Sequence, residues 1–372
     1  MTKEPSLSPA LLVRCSQPKA SCTFFTPHGV RHDALRPEPK KKATKDSSAP
    51  RIINNKKAAA KHEAREAWHR LSSVAVSPFR DLAMCGGPDG RLRVLILGSG
   101  RVYKDLTGHV GDISTCSFFP NGKIGLSGSS DMTIKIWALE HAQCVKTFGG
   151  HRLGVTRCSF LECASGKRFA SSSRDGTMKV WDCSRSEAIA TYTAEQKGSS
   201  LPCSINDCAH AEGVLYGGDD MGRIMAVDLR QKQRQQQLGY HLHLDKTTVL
   251  KSGINGISAD DRYVYAAFDD GTLVCADRRK PGEAVSASRK SDSPVTRIVP
   301  TATNGEHIVS SSDGSCSIWM ASAEGHGISG ELLGPDCEPV SDVALHDLRG
   351  QGVGGLLVVT TARDGAVRSY QL

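Results

Sequence analysis

Apolar and polar residues alternate in short runs along most of this chain. Thr133–Ile134–Lys135–Ile136–Trp137 and Thr177–Met178–Lys179–Val180–Trp181 are two clear examples. A period of two puts successive side chains on opposite faces of a strand, and runs this short, bounded by Gly, Asp, Asn and Ser, predict strands joined by tight turns. The pattern repeats. One segment reads GHVGDISTCSFFPNGKIGLSGSSDMTIKIW from Gly108 to Trp137, and a second reads GHRLGVTRCSFLECASGKRFASSSRDGTMKVWD from Gly150 to Asp182. Each holds Gly-His, an alternating strand, a turn, a second strand, Asp-x-Thr, and a third strand ending at Trp.

Weaker copies are found by following the turn Asp. The turn positions are Asp89, Asp131, Asp175, Met221, Asp270, Asp313 and Asp364, with successive gaps of 42, 44, 46, 49, 43 and 51 residues. Seven units of this size predict seven four-stranded sheets stacked around an axis, because one such sheet cannot bury both faces alone. The two full copies resemble WD repeats, so the expected fold is an all-β, seven-bladed WD-repeat β-propeller over residues 67–372. The chain stops just after the third strand of the last unit, which would leave a sheet edge open. A ring-closing strand is therefore expected within Ser21–Pro27 of the N-terminal segment 1–35.

Charge changes the picture in one place. Of the net +8, the segment 36–66 carries +6, from ten Lys/Arg against four Asp/Glu. Its low apolar content predicts a disordered basic insertion, with a short helix in KKAAAKHEAREAW at its end. It is the one stretch where nucleic-acid contact is expected, if anywhere. Thirteen cysteines, an odd number with no Cys-x-x-Cys pair, point to small core side chains in a reduced protein rather than to disulfides or zinc. The apolar run at the start is too short for a secretion signal, so a cytoplasmic protein is expected, with the nucleus as a second location.

His109, Ser127 and Asp131, and again His151, Ser171 and Asp175, look like hydrolase triads. A catalytic triad occurs once, whereas this set recurs with the same spacing to Trp137 and Trp181. The resemblance to WD repeats implies instead that each His, Ser, Asp and Trp form a buried hydrogen-bond network bracing one blade. Val227, Ala276 and Tyr370 stand at the Trp position of other blades, which are expected to be less rigid. No phosphate loop, nucleophile elbow or metal-spaced cluster occurs, so no enzyme activity, metal or cofactor is expected.

Beyond the repeat, Leu106–Ser186 and Asp313–Leu372, with the phrases WDCSRS and RDGAVRSYQL, resemble the proteasomal ATPase-associated factors. That resemblance implies a monomeric, non-enzymatic assembly chaperone of the proteasome regulatory particle, holding the C-terminal small domain of one ATPase subunit. Partner contacts are expected on one rim. Asp219, Asp220, Asp269, Asp270, Asp336 and Glu338 would form an acidic arc there, joined by Arg152, Arg174 and Arg363. Two other readings remain open. Val227–Asp228–Leu229–Arg230 and Ala276–Asp277–Arg278–Arg279 resemble the box of cullin-ligase substrate receptors, and the basic arm would suit a ribosome-biogenesis scaffold.

Overall fold

The computed structural model describes residues 21–26, 29–34, 70–79, 81–162, 166–194, 203–230, 237–243, 249–301, 303, 305–321, 326–333, 338–347 and 355–372. The basic stretch 36–66, with its expected short helix, and Asp336 lie outside the described residues. Every regular element described is a strand. Six sheets of four antiparallel strands follow one another along the chain: blade 1 (residues 73–106), blade 2 (113–148), blade 3 (155–193), blade 4 (205–241), blade 5 (254–289) and blade 6 (295–333). The first strand of each blade touches the first strand of the next, so these strands line the axis. The fold is a seven-bladed β-propeller.

Blade 7 is assembled from both ends of the chain. Its three inner strands are Val340–Asp347, Leu356–Ala362 and Val367–Gln371. Ser21–Thr26 pairs antiparallel with Val367–Gln371, with Ser21 opposite Gln371 and Phe25 opposite Val367. A second N-terminal strand, Gly29–Ala34, lies outside it and makes this sheet five-stranded. The sequence reading had only one strand there. On the axis, the ring closes where the inner strand of blade 7 packs on that of blade 1 (Ser73–Val76), and Leu71 N–H reaches Ala362 O at 3.4 Å.

Packing between blades rests on small residues facing branched ones. A Cβ on Gly86 would lie 2.5 Å from Ile113 Cγ2, and one on Gly218 would lie 2.4 Å from Ile254 Cγ2. Only glycine lets the next blade approach so closely. Apolar clusters fill these seams. Met84 and Leu92 of blade 1 pack with Cys116 and Trp137 of blade 2, and Tyr265 of blade 5 packs with Ile298 and Trp319 of blade 6. Of the nine cysteines whose side chains are described, all free, seven are buried. Burial pushes the thiols of Cys116, Cys208 and Cys316 up to about 12, so they act as apolar filler.

The axis itself is polar. Five inner strands, and Ser72 just before a sixth, each send one side chain to the backbone of the next blade. Ser72 donates to Ile113 O (2.7 Å), Ser114 to Val155 O (2.5 Å) and Thr156 to Ile205 O (2.6 Å). Asn206 donates to Ile254 O (3.1 Å), Asn255 to Val295 O (3.1 Å) and Thr296 to Val340 O (2.9 Å). One residue further along, Arg157, Asp207, Arg297 and Asp342 form a four-charge square from blades 3, 4, 6 and 7. Arg157 reaches Asp207 at 3.4 Å and Asp342 at 3.0 Å, and Arg297 reaches the same two carboxylates at 2.6 and 3.5 Å. Val74 N–H donates to Asp342 Oδ2, which brings blade 1 into the square. Burial pushes the Asp207 carboxyl up to about 6, against the opposing pull of Arg157 and of the Ile257 and Cys208 N–H groups.

Two measurements check this architecture. Removing residues 1–28 uncovers the edge of Val367–Gln371; a melting temperature lower by at least about 5 °C, with association at high protein concentration, is the expected result. Arg157→Met leaves two buried carboxylates sharing one cation, and chemical denaturation should show a loss of about 3–5 kcal/mol. A loss below about 1 kcal/mol would mean that the square does not brace the ring.

Candidate protein-docking face

The loop entering each inner strand and the turn between the second and third strands lie at the same end of every blade. In blades 2 and 3 these two pieces are tied by the residues of the apparent triads. The His109 ring donates from Nδ1 to Asp131 Oδ2 (2.8 Å), since a carboxylate only accepts. Ser127 Oγ then donates to Nε2 (2.8 Å) and accepts the Trp137 indole N–H (2.7 Å). Blade 3 repeats the chain at 3.0, 2.7 and 2.8 Å through His151, Asp175, Ser171 and Trp181.

Each Asp also holds backbone. Asp131 accepts from Val110 N–H (3.1 Å), Thr133 N–H (2.9 Å) and Thr133 Oγ1 (2.7 Å). Asp175 takes the corresponding bonds from Arg152 N–H (2.8 Å) and Thr177. Burial opposes charge on Asp131, but the bonds from Thr133, His109 and Val110 outweigh it and hold the carboxyl at about 2. Asp175 is held lower still by the same means, and burial lowers the His109 imidazole.

The linkage Ser–His–Asp is that of an acyl-transfer relay. However, Ser127 and Ser171 are 0% exposed, and each hydroxyl is engaged by both its His and its Trp. No substrate carbonyl can approach them. These residues position loops.

The other blades replace the network piecemeal. In blade 4, Met221 takes the turn position and Asp219, two residues earlier, substitutes for the missing carboxylate. It accepts from Met221 N–H (3.0 Å) and Arg223 N–H (2.8 Å) and pairs with Arg223 Nε (2.7 Å). In blade 6, Ser291 stands at the His position and the Lys290 ammonium is buried against Ser311, Ser315 and Asp313. Val309 occupies the serine position there, and the Trp319 indole N–H finds no acceptor among the described residues.

This geometry redistributes the expected rim. Asp219 is 5% exposed and engaged within its own turn, so it is no surface carboxylate. Asp270 is half-buried and caps Thr272 N–H at 3.0 Å. Asp220, Asp269 and Glu338 are exposed, as are Arg152, Arg174 and Arg363. Asp220 accepts from the Cys203 thiol, and Asp269 from the Asn255 amide. The acidic arc is thinner than the sequence suggested. Arg230, on the opposite face, is held by Asp228 through two bonds of 2.9 Å.

The axial square and the inter-blade ring were missed in the sequence, although a signal for them exists there. Ile113–Ser114–Thr115–Cys116, Val155–Thr156–Arg157–Cys158, Ile205–Asn206–Asp207–Cys208, Val295–Thr296–Arg297–Ile298 and Val340–Ser341–Asp342–Val343 align as one tetrad. The second residue is polar in each, and the third carries the axial charge in four of them.

Comparison with known proteins agrees with this picture. The model for the WD domain, G-beta repeat, matches residues 100–138, 142–182 and 286–320. The chain carries WD repeats. Each match begins on the outer strand of one blade and ends on the third strand of the next, so each WD repeat links two neighbouring sheets. Pre-mRNA-processing factor 19 of Bos taurus is 29% identical over 150 residues, which is 40% of this chain and 29% of that protein. Its Mus musculus counterpart is 28% identical over the same length. The probable proteasomal ATPase-associated factor 1 of Dictyostelium discoideum is 41% identical over 58 residues, 16% of this chain and 14% of that protein. The chain thus spans less than a third of each of these relatives.

The network can be tested by acid. Asp131 has a folded pKa of about 2, below its ordinary value of 3.8, so its contribution is complete above pH ~4 and is lost as pH falls from there towards 2. The melting temperature of the unmodified chain should drop across that window, and Asp131→Asn should flatten that part of the curve. Ser127→Ala, which removes the acceptor of the buried Trp137 indole N–H, is expected to cost about 1–3 kcal/mol in chemical denaturation.

Proposed function

We propose that this WD-repeat chain is a non-enzymatic scaffold that holds the C-terminal small domain of a proteasomal ATPase subunit while the regulatory particle is assembled. The observation carrying the finer part is the 41% identity over 58 residues to a protein named as a proteasomal ATPase-associated factor. It is joined by the phrases ending at Ser186 and at Leu372, which a blade does not require. The broader part rests on the propeller, whose loop-bearing face presents fixed, exposed side chains and whose apparent triads are sealed in the wall. A rigid face of this kind suits reversible capture, since little ordering entropy is lost on binding. On this reading Asp220, Asp269 and Glu338 meet basic residues of the ATPase domain, in the cytoplasm or the nucleus.

A second reading has its own support. The matches to pre-mRNA-processing factor 19 cover 40% of the chain, more than the ATPase-associated match does. They favour a scaffold in a pre-mRNA-processing complex. Affinity capture of the tagged full-length chain followed by mass spectrometry separates the two. Regulatory-particle ATPase subunits without core particle are the expected catch. Pre-mRNA-processing components in their place would overturn the proposal in favour of the second reading. Reversing charge at Asp220, Asp269 and Glu338 together should lower ATPase recovery at least about tenfold, with an unchanged melting temperature as the control for folding.

A further inference from the structure

Among the described residues, eleven large apolar side chains are exposed. Val102, Tyr103, Val145, Ile189, Leu238 and Val285 sit on outer strands around the circumference, where scattered apolar residues are ordinary. Phe79 is on the opposite face. The remaining four, Val110, Met132, Leu153 and Met221, all lie on the loop-bearing face, and three of them belong to blades 2 and 3.

The loops that carry those three are neighbours. Ser130, in the turn that carries Met132, donates its N–H to Asp112 O (2.9 Å). The same residue fills the space beside Gly111 on one side and Gly154 on the other. The turn therefore sits between the loop bearing Val110 and the loop bearing Leu153. Arg174 N–H donates to Gly154 O (3.0 Å), so Arg174 borders Leu153 from the far side.

Met132 is the most telling residue. In the other six blades its position is glycine with φ between 70° and 87°: Gly90, Gly176, Gly222, Gly271, Gly314 and Gly365. Met132 adopts φ 67° and is 44% exposed. A side chain in the left-handed region is strained, and an apolar one left this exposed recovers only part of that cost by burial. The same loops are the ones the His–Ser–Asp–Trp networks hold: Asp131 fixes Val110 N–H and Asp175 fixes Arg152 N–H.

Charge selects the partner. Asp131 and Asp175 are occupied inside the networks, whereas Arg152 and Arg174 are exposed and form no ion pair with any described residue. Asp112, at the edge, is the exposed acid of these loops. We infer that Val110, Met132 and Leu153, flanked by Arg152 and Arg174, form a preorganised docking site for a protein segment that combines apolar anchors with acidic residues. The inference rests on the chain being a protein-binding scaffold, and it places a contact of opposite polarity to the acidic residues of blades 4 and 5 on the same face.

The probe is a fluorescein-labelled twelve-residue peptide of alternating Leu and Glu, with a Leu/Lys peptide as its counterpart, followed by fluorescence anisotropy on the full chain. The acidic peptide should bind and the basic one should not. Leu153→Asp, and separately Arg152→Glu with Arg174→Glu, should each weaken binding at least about tenfold. The double charge reversal should also admit the Leu/Lys peptide. Met132→Gly distinguishes a docking role from a structural one: it should raise the melting temperature by about 2 °C while weakening the peptide. Failure of the acidic peptide to bind, or binding undiminished by these changes, would falsify the site. If the peptide binds as expected but affinity capture recovers no ATPase subunit, this site stands and the proteasomal partner falls.

Discussion

The structure depends on the contact of seven inner strands around one axis. A β-sheet alone buries one face at most, and a ring of sheets gains stability only if every neighbour, including the last and the first, meets in register. Hydrogen bonds from Ser72, Ser114, Thr156, Asn206, Asn255 and Thr296 each cross to the backbone of the following blade and set that register. The square of Arg157, Asp207, Arg297 and Asp342 then works across the axis rather than around it. Two cations and two anions in a confined space have low energy only when all four are present, so the square favours the closed ring over any arrangement with a blade displaced.

Rigidity on the loop-bearing face has a separate origin. In blades 2 and 3, one Asp gathers a His, a Thr and the backbone of the entering loop, and burial of the Trp seals the far end of the chain of bonds. The carboxylate is thereby spent on geometry rather than offered as a surface charge, and the side chains left outside are Val110, Met132, Arg152 and Leu153. Network and display coincide on the same two blades. Asp219 shows that the blade lacking a turn Asp recruits the nearest carboxylate to replace it.

Repeat period and strand alternation carried the fold class, since both depend on local side-chain preference and need no knowledge of what packs where. Glycine positions show the same limit from another side. Gly86 and Gly218 look like turn residues or weak strand positions in sequence, and only the approach of Ile113 and Ile254 from adjacent blades explains them.

The sequence by itself determined seven alternating units, the two complete His–Ser–Asp–Trp sets, and the shortage of one strand at the C-terminal end. Each of these is written in spacing along the chain. Tertiary structure alone decided that Arg157 meets Asp342 across 185 positions, that Asp219 turns inward while Asp220 turns out, and that the loops bearing Val110, Met132 and Leu153 pack together. The physical reason is distance. Contacts between blades join residues far apart in sequence, such as Gly86 with Ile113 and Arg157 with Asp342, and no local rule of pattern or propensity reports which charge finds a partner and which is left facing solvent.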